Sequence, residues 1–543
     1  MVNTTRTRIA IGRAVVFCLV FGGGIVSGPA TSAQAPPKPA DLPDYLQIEL
    51  TRILRTWDVL DKSASGVWPG WTSYRDVPFL ITYPNGVRLL VGHPDPMDGF
   101  TPVAGLEIAG KTVLLDRRQE IALPISPPVT GGGGVLALGK TKPVQTVDLR
   151  LAPVDPKAPD TASEANKDNP LPPELRVSSD GQILINIHEL FHCFQREVYR
   201  YRFGNLRMNP VADYSVYSEL EGIALERAYR AADTAAAREF LLDFLAARAL
   251  KRKTMTESEA NQESEDELME GTAVFAEARV LEQLRSGYSS AMPGASQDPY
   301  FHGFARADVF LEAKLDDLRR ARRSTLDARM RSYSYGCFQA LLLTRLFPAW
   351  RDGFFQSGTL MDRALRERLA PSVAELTAAG KRLEEQYPVA ELRARNGLEI
   401  RKRDEALAMI QARRGRTYIV DFKPTQEYLS PKSRGQSYAV GLINIHPAGI
   451  ERVQVRDVVL EGAASPIVLD QLYYLKWIDT EAKAGVKGYT LTFARKEGDD
   501  VFVDAVLATG GFTLRAPKIR VRETPERVKV TILAKIKEGV ENP

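Results

Sequence analysis

Between Tyr45 and Leu60 (YLQIELTRILRTWDVL) apolar residues fall three and four apart, which predicts an amphipathic helix. The period then changes. Residues 79–83 (FLITY) and 87–91 (VRLLV) are short β-prone runs flanking Pro84-Asn85-Gly86, a hairpin signal. Residues 112–115 and 144–151 read as further strands. Residues 153–182 are rich in Pro, Asp, Ser and Lys and read as a loop or linker. From about Gln182 to about Arg414 the chain is helix-like, rich in Ala, Leu, Glu and Arg, with Pro371 and Pro388 punctuating its later part. Beyond Thr417 the runs at 418–422, 489–493, 501–507 and 528–533 read as strands.

This pattern predicts an α+β multidomain chain. An N-terminal helix plus β-rich domain covers 41–152, a mainly helical domain covers 175–412, and a C-terminal all-β domain, sandwich or barrel-like, covers 415–543. The length of 543 residues agrees, since it exceeds what one compact core accommodates.

The first 35 residues change the picture at one end. Arg6, Arg8 and Arg13 precede a short apolar run, and Ala33-Gln34-Ala35 is a small-x-small cleavage site, so 1–35 reads as a signal peptide. The apolar run is too short to span a bilayer, and no later stretch is long and apolar enough either. The expectation is a periplasmic or secreted protein with no membrane span after cleavage. The net charge is only +4 and the basic residues are scattered, which argues against nucleic acid as a partner. Cys193 and Cys337 remain after cleavage, enough for one bridge but not for a disulfide framework.

Candidate chemistry sits in residues 183–196 (ILINIHELFHCFQR), which contain His188-Glu189-Leu190-Phe191-His192. Residues four apart on a helix share a face, so both imidazoles can reach one metal ion at about 2.0–2.1 Å. Glu189 is turned about 100° from His188. There it can take a proton from water held at the metal, as a general base. The expected ion is Zn2+, one per chain. The chain has only five histidines, so the pairing is not a by-product of abundance. An open zinc site needs a third protein ligand. Residue 198 is Val and no histidine follows before His302, which excludes a nearby third histidine. A carboxylate from a second helix remains. Glu221 in SELEGIALE and Glu270 in ELMEGTAVFAE both have the form Glu-Gly-x-Ala, whose small residues let helices approach closely. Both candidates stay open, and the one that is not a ligand could orient a histidine through its second ring N–H.

The segment around Glu270 resembles the ligand helix of gluzincins, including aminopeptidase N-like enzymes. Their pattern is Glu-Gly-x-Ala, then an aromatic, then a Glu seven residues after the ligand, matched here by Glu270, Phe275 and Glu277. Glu221 lacks the aromatic, with Glu226 in its place. Spacing favours Glu221, because gluzincin ligands lie nearer the second histidine. The wider layout resembles bacterial secreted proteins with a gluzincin-like catalytic region. An HELFH helix is followed by residues 220–225 (LEGIAL), 270–273 (EGTA), and Tyr333-Ser334-Tyr335-Gly336 ahead of Leu341-Leu342-Leu343, over about residues 180–350. The resemblance implies a zinc metallopeptidase acting on a peptide or protein substrate. His188, His192 and Glu270 or Glu221 would hold the metal, with Glu189 as general base. Tyr333 or Tyr335 would donate to the oxyanion, with His302 a candidate by residue type. The residues alone also admit a zinc hydrolase of a non-peptide amide or ester. They admit, too, a catalytically weak peptide-binding scaffold that retains the metal.

Two further signals carry little. Residues 134–141 (GVLALGKT) satisfy the phosphate-loop pattern, but Pro143 and a strand-like run follow where a helix is required. Gly131 to Gly134 are expected to form a flexible loop beside the cleft. The basic run 248–253 (RALKRK) is expected to be a solvated helix end.

Overall fold

The computed structural model describes residues 42–532, apart from 121–124, 126–128, 140–142, 154–174, 176–177, 201–210, 286, 289–297, 324–327, 413–414 and most connections between strands after Asp421. The expected signal peptide and most of the 153–182 linker lie outside the described residues.

Helix α1 (Asp44–Val67) buries Leu46, Ile53, Trp57 and Leu60, the stripe its spacing predicts. Strands β1 (Phe79–Thr82) and β2 (Arg88–Val91) form the antiparallel hairpin, and Gly86 takes the left-handed φ of +82° that its turn requires. They join β3 (Thr101–Ile108), β4 (Lys111–Asp116), β5 (Val129–Leu138) and β6 (Val144–Pro153) in a six-stranded sheet of order β3-β4-β2-β1-β6-β5. Only β1 and β6 pair in parallel. Gly131 to Gly134, expected as a loop, are strand: Gly131 pairs with Leu151 and Gly133 with Leu149. Pairing along the whole of β6 outweighs glycine's poor strand propensity. Lys140 and Thr141 of the phosphate-loop pattern lie outside the described residues. A strand, not a helix, follows at Val144.

A helical stretch comes next: α2 (Ser179–Val198), α3 (Ala212–Arg230), α4 (Thr234–Arg252), α5 (Glu257–Leu284), α6 (Ala307–Arg323), α7 (Ala328–Leu346), α8 (Met361–Leu369), α9 (Val373–Gln386) and α10 (Val389–Ala412). Strands then make up a second sheet, in which Arg416–Asp421 pairs in parallel with Arg527–Ile532 and antiparallel with Tyr474–Asp479. The chain is thus a mixture of helices and sheets. Among the described residues no helix is long and apolar enough to cross a membrane.

Helix α2 starts at Ser178, whose side chain accepts from Gly181 N at 3.1 Å. Its Ile183, Leu184, Ile187, Leu190, Phe191 and Phe194 are buried. The Phe191 ring meets Trp71 at 5.0 Å and Trp68 at 5.5 Å, and Trp68 stacks on Phe355 at 4.5 Å. Each large apolar side chain buried in this way contributes about 1.5–3 kcal/mol, so α2 is held firmly on its apolar side. Cys193 and Cys337 are both free and buried.

The basic run reaches solvent only at its end, where Lys253 is exposed. Arg248 and Lys251 are buried and paired with Glu221, Glu263 and Glu267. Acids from two other helices surround them, which a reading of the run by itself does not reveal. This network fixes the first half of α5. Further along, α5 crosses α7 at Gly271 and Gly336, where a Cβ on Gly271 would meet Gly336 Cα at 2.3 Å.

Candidate functional site

Helix α2 places His188 and His192 one turn apart, with their Nε2 atoms 3.0 Å from each other. From α5, Glu270 Oε2 lies 3.6 Å from His188 Nε2 and 3.3 Å from His192 Nε2. These three side chains form the group of metal-ligating type found among the described residues.

Hydrogen bonds on the far side of each ring decide which nitrogen faces the centre. Glu277 Oε1 lies 2.8 Å from His188 Nδ1, and a carboxylate only accepts, so Nδ1 carries the proton. Gln195 Oε1 lies 2.6 Å from His192 Nδ1. Its amide orientation is fixed because Nε2 donates to Met269 O at 2.9 Å and Thr272 Oγ1 at 2.7 Å. Both Nε2 atoms therefore direct lone pairs at one point, and Glu270 Oε2 is buried there without a hydrogen-bond partner. Three facing acceptors repel unless a cation lies between them. Their separations of 3.0, 3.3 and 3.6 Å match the edge of about 3.3 Å of a tetrahedron with metal–ligand distances near 2.0–2.1 Å. The donor set fits a metal ion.

The surroundings favour positive charge at this point. With no metal bound, burial would lower the His188 pKa, but contacts with Glu270 and Glu277 and the charge of Glu189 outweigh it and lift it to about 10, so a proton on Nε2 takes the place that a metal ion would fill. Burial would raise Glu270, yet the two imidazoles hold it well below the usual carboxylate range. Glu277 behaves similarly: burial is outweighed by Lys314 on α6 and by His188. Glu189 differs. Burial raises its pKa, and the neighbouring imidazoles offset this only in part. Its Oε2 is buried with no partner.

Strand β5 is bolted to the same helix. Gly131 N donates to Gln182 Oε1 at 3.1 Å and Arg196 Nη1 to Val135 O at 3.0 Å. Gln182, Glu189 and Arg196 are seven apart, so they share the helix face turned to β5. Gly133 lies so near that a Cβ there would meet Glu189 Cγ at 2.9 Å. A cavity of about 350 Å³ opens at this junction, lined by Gly132, Gly133, His188, Glu189, Lys314 and Tyr333 among others. The Tyr333 ring is stacked on His188, 6.0 Å between centroids.

The other candidates lie elsewhere. Glu221 is not at the triad: Arg248 Nε and Nη2 at 2.9 and 3.0 Å and Lys251 Nζ at 2.6 Å occupy its carboxylate. It therefore does not orient a histidine either; Glu277 and Gln195 make those contacts. Tyr335 is buried and donates to Ser218 O at 2.6 Å. His302 is exposed, with its backbone N–H donated to Asp180 at 2.7 Å. Gln182, Gln195, Arg196 and Lys314 belong to no motif, although Gln195 stands three residues after His192, a spacing that puts neighbours on one helix face.

No protein-family model, curated protein or solved structure matches the chain.

Proposed function

We propose that this chain is a zinc-dependent peptidase of gluzincin type, exported to the periplasm or beyond, with a catalytic helical domain between two β domains. One observation carries the reading. His188 Nε2, His192 Nε2 and Glu270 Oε2 converge on one point, and Glu189, whose buried Oε2 has no hydrogen-bond partner, stands beside it on the wall of a cavity. Two neutral imidazoles and a carboxylate are a donor set that suits zinc.

A zinc ion there supplies Lewis-acid polarisation of the scissile carbonyl and activation of water. The protein's own groups do the rest. Glu189 accepts a proton from the attacking water and passes it to the leaving nitrogen. Its raised pKa suits both halves of that transfer. Glu277 and Gln195 hold the imidazoles in the required tautomer. Tyr333, on the cavity wall beside His188, is the candidate donor to the oxyanion.

A second observation favours a peptide over other amides or esters. Among the described residues β5 pairs only with β6, and Gly132 and Gly133 of this edge strand line the cavity. An extended peptide can add to such an edge through its main chain. The test is metal analysis and peptide hydrolysis by wild type and Glu189→Gln. Both should bind about one zinc per chain, and hydrolysis should fall by about 10²–10⁴ in the variant. Wild type without zinc, or equal hydrolysis in both, overturns the proposal. Ester turnover without peptide cleavage would replace the substrate class and leave the metal centre standing.

A further inference from the structure

We propose that Lys314 is a positioning residue of the metal centre: it clamps Glu277, and through Glu277 it holds the His188 ring with Nε2 on the point where the three donors meet. The inference rests on the metal reading above.

Lys314 projects from α6, a helix that contributes no ligand, and its ammonium group bonds Glu277 Oε2. The other oxygen of the same carboxylate, Oε1, lies 2.8 Å from His188 Nδ1. Glu277 is thus gripped at both ends. The final torsion of a glutamate is soft, so a carboxylate held at one oxygen could swing. Held at both, it cannot rotate without losing one bond, and the ring it contacts is fixed in turn. Charge leads to the same residue. Glu277 is buried, and a buried carboxylate needs a compensating cation. His188 is neutral as a ligand, and Glu270 and Glu189 already bring two carboxylates to this point. Lys314 is the sole lysine or arginine among the residues lining the cavity. Its side chain is largely buried, so the clamp does not rest on a solvated pair.

Zinc affinity, measured by competition with a chromophoric chelator, and the visible spectrum of the cobalt-loaded protein test this. The set is wild type, Lys314→Met, Lys314→Arg, Glu277→Gln and the Lys314→Met/Glu277→Gln double variant. Lys314→Met should weaken zinc binding about tenfold and change the cobalt spectrum, as loss of an outer partner of a ligating histidine does. Lys314→Arg should restore most of the affinity. The double variant should bind no more weakly than Glu277→Gln alone, because Lys314 acts through Glu277. Wild-type affinity and spectrum in Lys314→Met overturn the inference, as does a double variant in which the two losses multiply. If Lys314→Met does not fold, Lys314→Gln is read in its place, with the same outcomes. A wild type that binds no zinc removes the peptidase reading and this inference together. A wild type that binds zinc beside an unaffected Lys314→Met removes this inference alone.

Discussion

Gly271 follows Glu270 and sits where α5 crosses α7, so Gly271→Ala tests whether that crossing sets the ligand's position. The new Cβ would stand 2.3 Å from Gly336 Cα, 2.5 Å from Gly336 C and 2.8 Å from Cys337 N. All three are backbone atoms and cannot turn aside. Carbon atoms rest at about 3.5–4.0 Å, so the helices must part by roughly 1.2 Å or more. Overpacking of this kind costs about 1–3 kcal/mol, while replacing a helical glycine returns up to about 1 kcal/mol. The net loss of stability should lie between about 0 and 3 kcal/mol, with no gain. The metal centre should suffer more. Metal–ligand distances tolerate only about ±0.2 Å, and a shift near 1 Å takes the neighbouring Glu270 Oε2 out of range. Zinc affinity should fall at least about tenfold. Urea unfolding of the metal-free protein measures the first effect and chelator competition the second. Gly380→Ala is the control: α9 leaves open space around Gly380, so stability should rise by about 0.4–1 kcal/mol with zinc affinity unchanged. If Gly271→Ala behaves like this control in both assays, the crossing does not position the ligand.

Three other perturbations probe neighbouring features. Gly133→Ala would press a Cβ against Glu189 Cγ at 2.9 Å and Leu149 Cδ2 at 2.8 Å; zinc should be retained while kcat for peptide hydrolysis drops about 10- to 100-fold, and an unchanged kcat would refute the contact. Lys251→Met removes the ammonium 2.6 and 2.7 Å from Glu221 and Glu263, leaving Glu221 only Arg248 and taking from Glu263 its paired cation; chemical denaturation should register a loss of about 3–5 kcal/mol, and a negligible loss would show the network to be dispensable. Asp116 titrates low because burial, which would raise its pKa, is outweighed by bonds from Arg118 and Arg88. A carboxylate depressed in the folded state stabilises above its unfolded value of about 3.9 and loses that contribution as pH falls below it. Wild type should therefore exceed Asp116→Asn in unfolding free energy at pH 7, with the margin shrinking below about pH 4; a margin that persists in acid refutes the assignment.

The local half of the site is legible in sequence because a helix brings residues i and i+4 together unaided, and His188, Glu189 and His192 need nothing more. Glu270 and Glu221 sit in the same Glu-Gly-x-Ala pattern. What separates them is the company each keeps: Arg248 and Lys251, 27 and 30 residues further on, fold onto Glu221 and leave no room for a metal role. The same event hides the meaning of the basic run, which by itself resembles any charged helix end. Strand periodicity locates the C-terminal strands at 416–421, 489–492, 501–509 and 527–532 but passes over others, among them 450–455, 474–479 and 512–523. The glycine run of β5 misleads, because its strand state comes from β6 and from Gln182 and Arg196 rather than from its own residues. Those two side chains carry no motif, yet their sevenfold spacing about Glu189 was a readable sign that one helix face meets something flat.

An unpaired strand edge is ordinarily a hazard, since a second copy of the chain can zip onto it. In β5 the four consecutive glycines blunt that hazard. Cross-strand side-chain pairs supply much of the adhesion between strands, and Gly131 to Gly134 have none to offer. Two main-chain groups of this strand are also already taken, Gly131 N by Gln182 and Val135 O by Arg196, so α2 covers part of the edge. An edge without side chains and partly capped by a helix gives a second copy of the chain little to hold, which lowers the tendency of neighbouring molecules to zip together beside the cavity.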